Sequence, residues 1–316
     1  MNATDIILVI VALAFAWSMG AHYTGACMGM PVATGSVRPG KALLIMAPLT
    51  LAGAALLSHG VLANIGHRVI LAKTLGNGGA LAILIAAFLL TIFFNQRRIP
   101  TSTIQILVFS MIGAGSALGL GIRWGLIMRL AVIWVLAPAA AFVLGFALTK
   151  ALDLFPRLSQ SGSAGLIGRM LVVVGGGASL AMGANDVANA TAVFLSTGFA
   201  GPFLAGIVGG VGLAAGVLTW GRPLLERMAF DVVKVDMPMA TAAQIVQGMV
   251  VLTAVFFGYF TSMNQALIGA MAGAGFARGR ETIGTKVIFS ILRGWIIGPA
   301  AGAALAFLFT IVGKQL

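Results

Sequence analysis

Charged residues are scarce in this chain of 316 residues, of which 8% are charged and 60% are hydrophobic. A soluble domain carries roughly 25% charged residues, so this composition excludes a soluble globular protein. Among the charged residues the acidic ones are the fewer, with seven against nineteen lysines and arginines. The basic residues are scattered and form no stripe with interleaved aromatics, which argues against nucleic-acid binding and is typical of a membrane topology signal. The sequence therefore predicts a multi-pass protein in the lipid bilayer of the cell (inner) membrane.

Several kinds of chemistry are also missing. The single cysteine, Cys27, cannot form an intramolecular disulfide and provides no metal-ligand spacing. The sequence has no Walker motif, so it offers no means of powering transport by nucleotide hydrolysis. It also shows no nucleophile with an adjacent base, and we expect neither enzymatic activity nor a bound cofactor. The first apolar run lacks a basic region before it, and we interpret it as a membrane span and not a cleaved signal peptide.

Eight long apolar runs are present, and each predicts a membrane-spanning helix. They lie at 6–19, 42–58, 79–95, 124–148, 166–182, 201–220, 239–258 and 283–312. Four other segments are rich in small and polar residues, and there we predict broken or re-entrant helices, because a broken backbone needs protein or water partners. They are 20–36, 100–121, 183–200 and 259–279. The predicted fold is an all-α polytopic membrane protein with about 10–12 membrane segments.

Sequence blocks of the first half recur in the same order in the second half, at offsets between 160 and 163 residues. The block pairs are 19–21 with 182–184, 101–105 with 261–265, 111–119 with 271–279, and 134–140 with 295–301. We infer a tandem duplication, with a first transmembrane repeat at 1–148, a linker at 149–168 and a second repeat at 169–316. Paired interruptions in two halves indicate a transporter site at the repeat interface, near the membrane midplane.

Asp186 is the only acidic residue that lies deep between apolar runs. A carboxylate at that depth costs at least about 2.5–3.5 kcal/mol, so it calls for a partner or a task. Asn185 and Asn189 stand beside it, and the three side chains offer hard oxygen ligands for Na⁺ or a proton relay. The alternative is that the two asparagines only hold helices together.

Hydroxyl and amide side chains stand at the start of two of the interrupted segments. Each start suits the N-terminus of a half-helix, where unpaired N–H groups and the positive end of the helix dipole attract an oxyanion. The alternative is that these side chains are N-caps and interhelical hydrogen-bonding groups. The candidate substrate-binding residues are Ser102, Thr103, Gln105, Ser262, Asn264 and Gln265.

The octapeptide GANDVANA at 183–190 resembles the signature of the inorganic phosphate transporter (PiT) superfamily. Members of that superfamily carry such a motif in each of two inverted repeats, followed by a Pro-x-Ser-Thr-Thr-His type of segment. The resemblance covers nearly the whole chain. It implies inverted repeats, a transport unit built from the two broken segments, and a homodimer.

The first half departs from this signature, because residues 20–27 read GAHYTGAC. The aspartate and both asparagines are absent, and we expect His22, Tyr23 and Thr24 to complete the cation-coupling site of Asn185, Asp186 and Asn189. His22 is either a proton carrier or a satisfied buried histidine. A degenerate first motif of this kind resembles the sulfate permease branch of the superfamily.

The hydrogen-bonding capacity of the two anions also favours sulfate over phosphate. Phosphate near neutral pH can donate a hydrogen bond to a carboxylate, whereas sulfate only accepts, so a tyrosine hydroxyl in place of an acid suits sulfate. A cation bound at Asp186 would mask its charge and leaves phosphate open. We therefore predict a secondary active transporter that imports a tetrahedral oxyanion, sulfate ahead of phosphate, with H⁺ or Na⁺. A passive channel is the less favoured alternative, since it would need a polar ring or a hydrophobic gate.

Overall fold

The computed structural model describes residues 3–59, 62, 76–155, 161–196, 200–232, 234–257, 259, 261–279 and 284–314. Its elements in these ranges are α-helices. Eight helical stretches are long and apolar enough to cross a membrane, and each overlaps one of the predicted runs. The all-α, multi-pass prediction is thus confirmed. The helices are α1 (Ala3–His22), α2 (Thr24–Ala33), α3 (Pro39–Leu57), α4 (Gly76–Gln96), α5 (Thr103–Ala117), α6 (Trp124–Asp153), α7 (Ser161–Ser196), α8 (Pro202–Trp220), α9 (Arg222–Phe230), α10 (Met237–Phe256), α11 (Met263–Arg278) and α12 (Thr285–Gly313).

Two helices, α5 and α11, are too short to span the bilayer. They contain 15 and 16 residues, which corresponds to about 24 Å against a hydrocarbon core of about 30 Å. Each begins after a fully buried serine, Ser102 or Ser262. The discontinuities predicted at 100–121 and 259–279 therefore agree with two half-helices that start inside the protein; positions 258 and 260 lie outside the described residues.

The discontinuity predicted at 183–200 is wrong for its described part, because α7 runs without interruption to Ser196; positions 197–199 lie outside the described residues. In the first half the segment 20–36 is interrupted by a one-residue turn at Tyr23, between α1 and α2, and again by the turn after α2 ends at Ala33. The prediction rested on the small and polar residues of this segment, of which Gly183 is the first. In the structure Gly183 allows close packing, since a Cβ there would overlap the carbonyl oxygen of Thr50 in α3.

Equivalent glycines of the two halves make equivalent contacts. Each packs against a backbone carbonyl of the opposite half, at positions that the repeat offsets relate to each other. Such close approach is what small residues permit in membrane helices. This reciprocity supports the tandem duplication, while the inverted orientation of the halves stays a prediction. The pairs are Gly20 with Leu213, Gly183 with Thr50, Gly113 with Ala303, and Gly273 with Phe142.

The helices pack as one large group and two pairs, and each of these draws on both halves of the chain. Helices α1, α2, α3, α7, α8 and α9 form the group, whereas α5 packs against α12 and α6 packs against α11. Helix α4 contacts α1, α5 and α12, and α10 contacts α2, α6, α7 and α11. The group meets the two pairs where the Tyr23 turn and the C-terminal third of α7 face the starts of α5 and α11.

The junction between the halves is shorter than the predicted linker at 149–168. Helix α6 continues to Asp153, and α7 already begins at Ser161; residues 156–160 lie outside the described residues. Arg278 at the end of α11 contacts both Asp153 and Asp236, so it connects α11 with the ends of its neighbours α6 and α10. The division into repeats at 1–148 and 169–316 stays a prediction.

Candidate anion and cation site

Asp186 is the only acidic side chain that is buried in the described part of the chain, and its exposure is 0%. It lies in the C-terminal third of α7. Its Oδ1 accepts a hydrogen bond from Asn189 Nδ2 at 3.2 Å, whereas its Oδ2 has no hydrogen-bond partner. A buried carboxylate with one free oxygen is costly in a membrane protein, so Asp186 stays the first candidate for a functional residue.

Tyr23 lies directly beside Asp186, and the repeat offset makes the two positions equivalent. The Tyr23 hydroxyl is hydrogen-bonded to Thr103 Oγ1 at 2.7 Å. It therefore joins the turn between α1 and α2 to the first residue of α5. The two motifs, far apart in the sequence, converge at one place in the fold.

The second half contributes a set of buried oxygens without hydrogen-bond partners. Asn185 donates its amide to the carbonyl of Thr261 at 3.4 Å, and Asn264 donates to the carbonyl of Thr101 at 2.9 Å. Both amides are thus oriented by donation, which leaves their oxygens free. Five of these oxygens belong to the two motif segments: Asn185 Oδ1, Asp186 Oδ2, Asn189 Oδ1, Thr261 Oγ1 and Asn264 Oδ1; a sixth is Gln244 Oε1 in α10.

His22 stands at the position equivalent to Asn185, and its ring is fully engaged. Asn95 Nδ2 donates to the carbonyl of Ser18 at 2.8 Å, which fixes the amide so that Asn95 Oδ1 accepts from His22 Nδ1. The Nε2 atom of His22 lies 3.0 Å from the Thr101 nitrogen, whose N–H it accepts in the neutral Nδ1–H tautomer, and 3.1 Å from the Thr101 carbonyl oxygen, to which a protonated Nε2 would donate. The bond to Asn95 places a proton on Nδ1 in either case. Of the two interpretations of His22, the satisfied buried histidine agrees with these contacts.

Thr24 was expected to join the cation-coupling site. Its hydroxyl donates to the carbonyl of Gly221 at 2.6 Å and to that of Ala21 at 3.0 Å. The bond to Gly221 attaches α2 to the junction of α8 and α9. In this structure the Thr24 side chain connects helices.

The half-helices α5 and α11 begin with the same capping arrangement. Ser102 Oγ accepts from the N–H of Gln105, and Ser262 Oγ accepts from the N–H of Gln265, both at 3.4 Å. Each Gln side chain donates to the other, at 3.3 and 3.0 Å. Equivalent residues therefore meet here, as they do at Tyr23 and Asp186, and the two helix starts lie side by side.

The glutamine pair also lines an apolar cavity of about 620 Å³. Trp134 and Trp295, which are equivalent in the repeats, form part of the same wall. Each indole N–H is buried without a hydrogen-bond partner. The structure thus places the predicted substrate residues Gln105 and Gln265 between the half-helix starts and this cavity.

Several polar residues near the site were not predicted. Asn95 orients His22, and Thr261 provides both a carbonyl for Asn185 and a free hydroxyl. Gln244 in α10 donates to the carbonyl of Ala26 at 3.1 Å and to Gln247 at 2.9 Å. Gln244 and Gln247 stand within the apolar run at 239–258, and that isolation was a signal that the sequence offered. Asn95 gave no such signal, because it ends its run and polar residues follow it.

The family was identified by comparison with known proteins. The model of the phosphate transporter family matches residues 19–306. The chain belongs to the phosphate transporter family. A relative from Mycobacterium leprae named "probable low-affinity inorganic phosphate transporter" is 28% identical, over 97% of this chain and 78% of its own. The sulfate permease CysP of Bacillus subtilis is 26% identical, over 96% of this chain and 86% of its own.

A solved structure gives the same fold. The present chain superposes on the solved structure named "The sodium-dependent phosphate transporter" with a TM-score of 0.90. The two chains are 22% identical, and the superposition covers 100% of both. The predicted superfamily and the absence of an enzymatic role agree with these findings. At that identity the superposition establishes the fold.

Proposed function

We propose that this family member imports inorganic phosphate by secondary active transport coupled to Na⁺. The observation that carries the proposal is the set of five buried, unpartnered oxygens around Asp186. Carboxylate, amide and hydroxyl oxygens are the hard ligands that Na⁺ takes in transporters. The fold is shared with a protein named as sodium-dependent, which supports Na⁺ over H⁺ as the coupling ion.

The anion is proposed to bind next to this oxygen set, at the starts of α5 and α11. The N-terminus of each half-helix presents N–H groups and the positive end of a dipole. The hydroxyls of Ser102 and Ser262 each accept one bond and retain a proton to donate. A Na⁺ ion at Asp186 would mask the carboxylate and permit an anion nearby.

Phosphate is proposed ahead of sulfate, which reverses the expectation from the sequence. The matching family model and the mycobacterial relative are both named for phosphate. A protonated phosphate can donate a hydrogen bond to a free oxygen such as Asp186 Oδ2, which sulfate cannot do.

Sulfate is the second candidate, on the strength of one observation. Tyr23 places a hydroxyl where the duplication would otherwise place a second carboxylate. A donor at that position suits an anion that only accepts hydrogen bonds. The similarity to a sulfate permease is consistent with this candidate.

The test uses the purified protein in sealed proteoliposomes with an inward Na⁺ gradient. We expect labelled phosphate to accumulate above its external concentration, and excess sulfate to compete weakly. Replacing Na⁺ by K⁺ should abolish accumulation, whereas an imposed proton gradient without Na⁺ should not restore it. Equilibration without accumulation would indicate a channel, and accumulation of sulfate in preference to phosphate would establish the second candidate.

A further inference from the structure

The two halves of the site differ in a way that bears on how many cations are transported. Resting on the proposed function, we propose that the protein binds one coupling cation per anion, in the second half only. The equivalent position in the first half has become part of the anion-binding side. The proposal follows from comparing five pairs of positions that the duplication relates.

All five cation-side oxygens that lack a partner belong to the second half. None of the five equivalent positions in the first half, all of which the structure describes, has a buried side-chain atom without a hydrogen-bond partner. Two have lost their polar group altogether. The first-half residues, in the order of Asn185, Asp186, Asn189, Thr261 and Asn264, are His22, Tyr23, Ala26, Thr101 and Ile104.

The polar side-chain atoms at the equivalent first-half position already have hydrogen-bond partners. Thr101 Oγ1 donates to the carbonyl of Gly294 at 3.3 Å, whereas the hydroxyl of Thr261 is free. Both ring nitrogens of His22 are engaged, with Asn95 and with the backbone of Thr101. A cation at this place would find no unpartnered oxygen among these side chains.

Charge leads to the same conclusion. Asp186 is the only buried acidic side chain in the described residues, so the site supplies one full negative charge. The bound anion carries the only other negative charge, so a second Na⁺ would have to be compensated by the anion alone and would still need a ligand shell of its own. Tyr23 has replaced the carboxylate that the duplication would have provided.

The Tyr23 hydroxyl belongs instead with the anion ligands. It is bonded to Thr103, the first residue of α5, next to the capping Ser102. The second half has Met263 at the position of Thr103, so it lacks this hydroxyl. At these two pairs of positions the first half therefore has the hydroxyls of Tyr23 and Thr103, where the second half has the carboxylate of Asp186 and the apolar Met263.

Equilibrium binding of ²²Na⁺ to the purified full-length protein, with saturating phosphate present, tests the proposal directly. We expect one Na⁺ per chain and a Hill coefficient near one. Two Na⁺ per chain would overturn this inference and leave the proposed function intact. No saturable Na⁺ binding would overturn the inference, and loss of Na⁺-dependent uptake in the same preparation would overturn the proposed function as well.

A combined variant tests which residues determine the number of Na⁺ ions bound per chain. His22→Asn with Tyr23→Asp and Ala26→Asn restores three of the four side chains by which the first half differs, and we expect this variant to bind two Na⁺ per chain. Tyr23→Phe is the control, because it removes the hydroxyl without adding an oxygen, and it should still bind one. A single Na⁺ in a correctly folded combined variant, judged by its elution as a monodisperse species, would contradict the role assigned to these positions.

The wild-type protein offers a second measurement that needs no variant. At acidic pH, where phosphate is monovalent, transport with one Na⁺ carries no net charge. An inside-negative K⁺ diffusion potential should then leave the initial rate of phosphate uptake unchanged. A clear acceleration would indicate a second cation and would overturn the inference.

Discussion

The two halves of this transporter use the same framework to hold different chemistry. Asn185 reaches the backbone of Thr261, and His22 reaches the backbone of Thr101 in the equivalent place. The asparagine leaves an oxygen free, whereas both histidine nitrogens have a partner. A duplicated fold can thus keep its contacts and still change what a position offers to an ion.

The framework itself is nearly symmetric. Gly20 and Gly183 make the same close backbone contact across the halves, and Ser102 and Ser262 cap their helices at the same distance. These features depend on backbone geometry, which both halves share. The halves differ in the side chains that face the site and in the turn at Tyr23, whose counterpart in α7 is helical. The following changes probe these differences.

The largest effect is expected for Asp186→Asn. The change removes the only carboxylate that is buried among the described residues, and a charge at 4 Å from a cation contributes about 4 kcal/mol at an effective dielectric constant of 20. We expect a loss of Na⁺ affinity of roughly a thousandfold and no measurable gradient-driven phosphate uptake. Asp231→Asn, at an exposed position, is the matched control and should transport normally. Wild-type accumulation by Asp186→Asn would show that coupling does not depend on this side chain.

His22→Ala and Asn185→Ala should separate stability from cation binding. The first change leaves the buried Thr101 N–H and Asn95 Oδ1 without partners, at about 1–3 kcal/mol for each group. We expect a lower melting temperature with an unchanged Na⁺ half-saturation constant. The second removes a free oxygen, and we expect Na⁺ affinity to fall roughly tenfold, about 1.4 kcal/mol. The same shift in Na⁺ affinity for both variants would mean that His22 does serve the cation.

Glycine-to-alanine substitutions test whether the two halves pack against each other in the same way. A Cβ at Gly183 or Gly20 would overlap a carbonyl oxygen of the opposite half, and such overpacking costs about 1–3 kcal/mol. We expect similar losses of thermal stability in detergent for Gly183→Ala and Gly20→Ala. Gly177→Ala is the control within α7, since nothing lies within 4 Å of its Cβ; it should be neutral or stabilising by up to about 1 kcal/mol. A large loss in only one half would break the proposed equivalence.

The spans and the duplication were predictable because they depend on local properties of the sequence. Hydropathy over a window reports burial in lipid, and the block at 111–119 recurs at 271–279 in the second half. Asp186 was identifiable as a site residue because a buried acid is expensive wherever the chain folds. Its neighbours Asn185 and Asn189 followed from their place beside it.

The parts that were missed depend on distant partners. A glycine such as Gly183 can interrupt a helix or allow another helix to pack closely against it, and the local sequence is the same in both cases. Only the position of Thr50 in the fold shows that Gly183 serves close packing. The proton on Nδ1 of His22 is fixed by Asn95, which is 73 residues away in the chain. Which oxygens remain free likewise depends on the packing of both halves.

The smallest effect is expected from the two capping serines, and it bears on where the anion binds. Ser102→Ala and Ser262→Ala each remove a hydroxyl cap at 3.4 Å, so both should lower stability by a similar amount, about 0.5–2 kcal/mol. The phosphate KM should rise more for Ser102→Ala, because Ser102 adjoins Thr103 and its bond to Tyr23, whereas Ser262 adjoins Met263. Initial uptake rates at saturating Na⁺ measure the difference. Equal increases would place the anion midway between the half-helices, and two unchanged KM values would restrict both serines to capping.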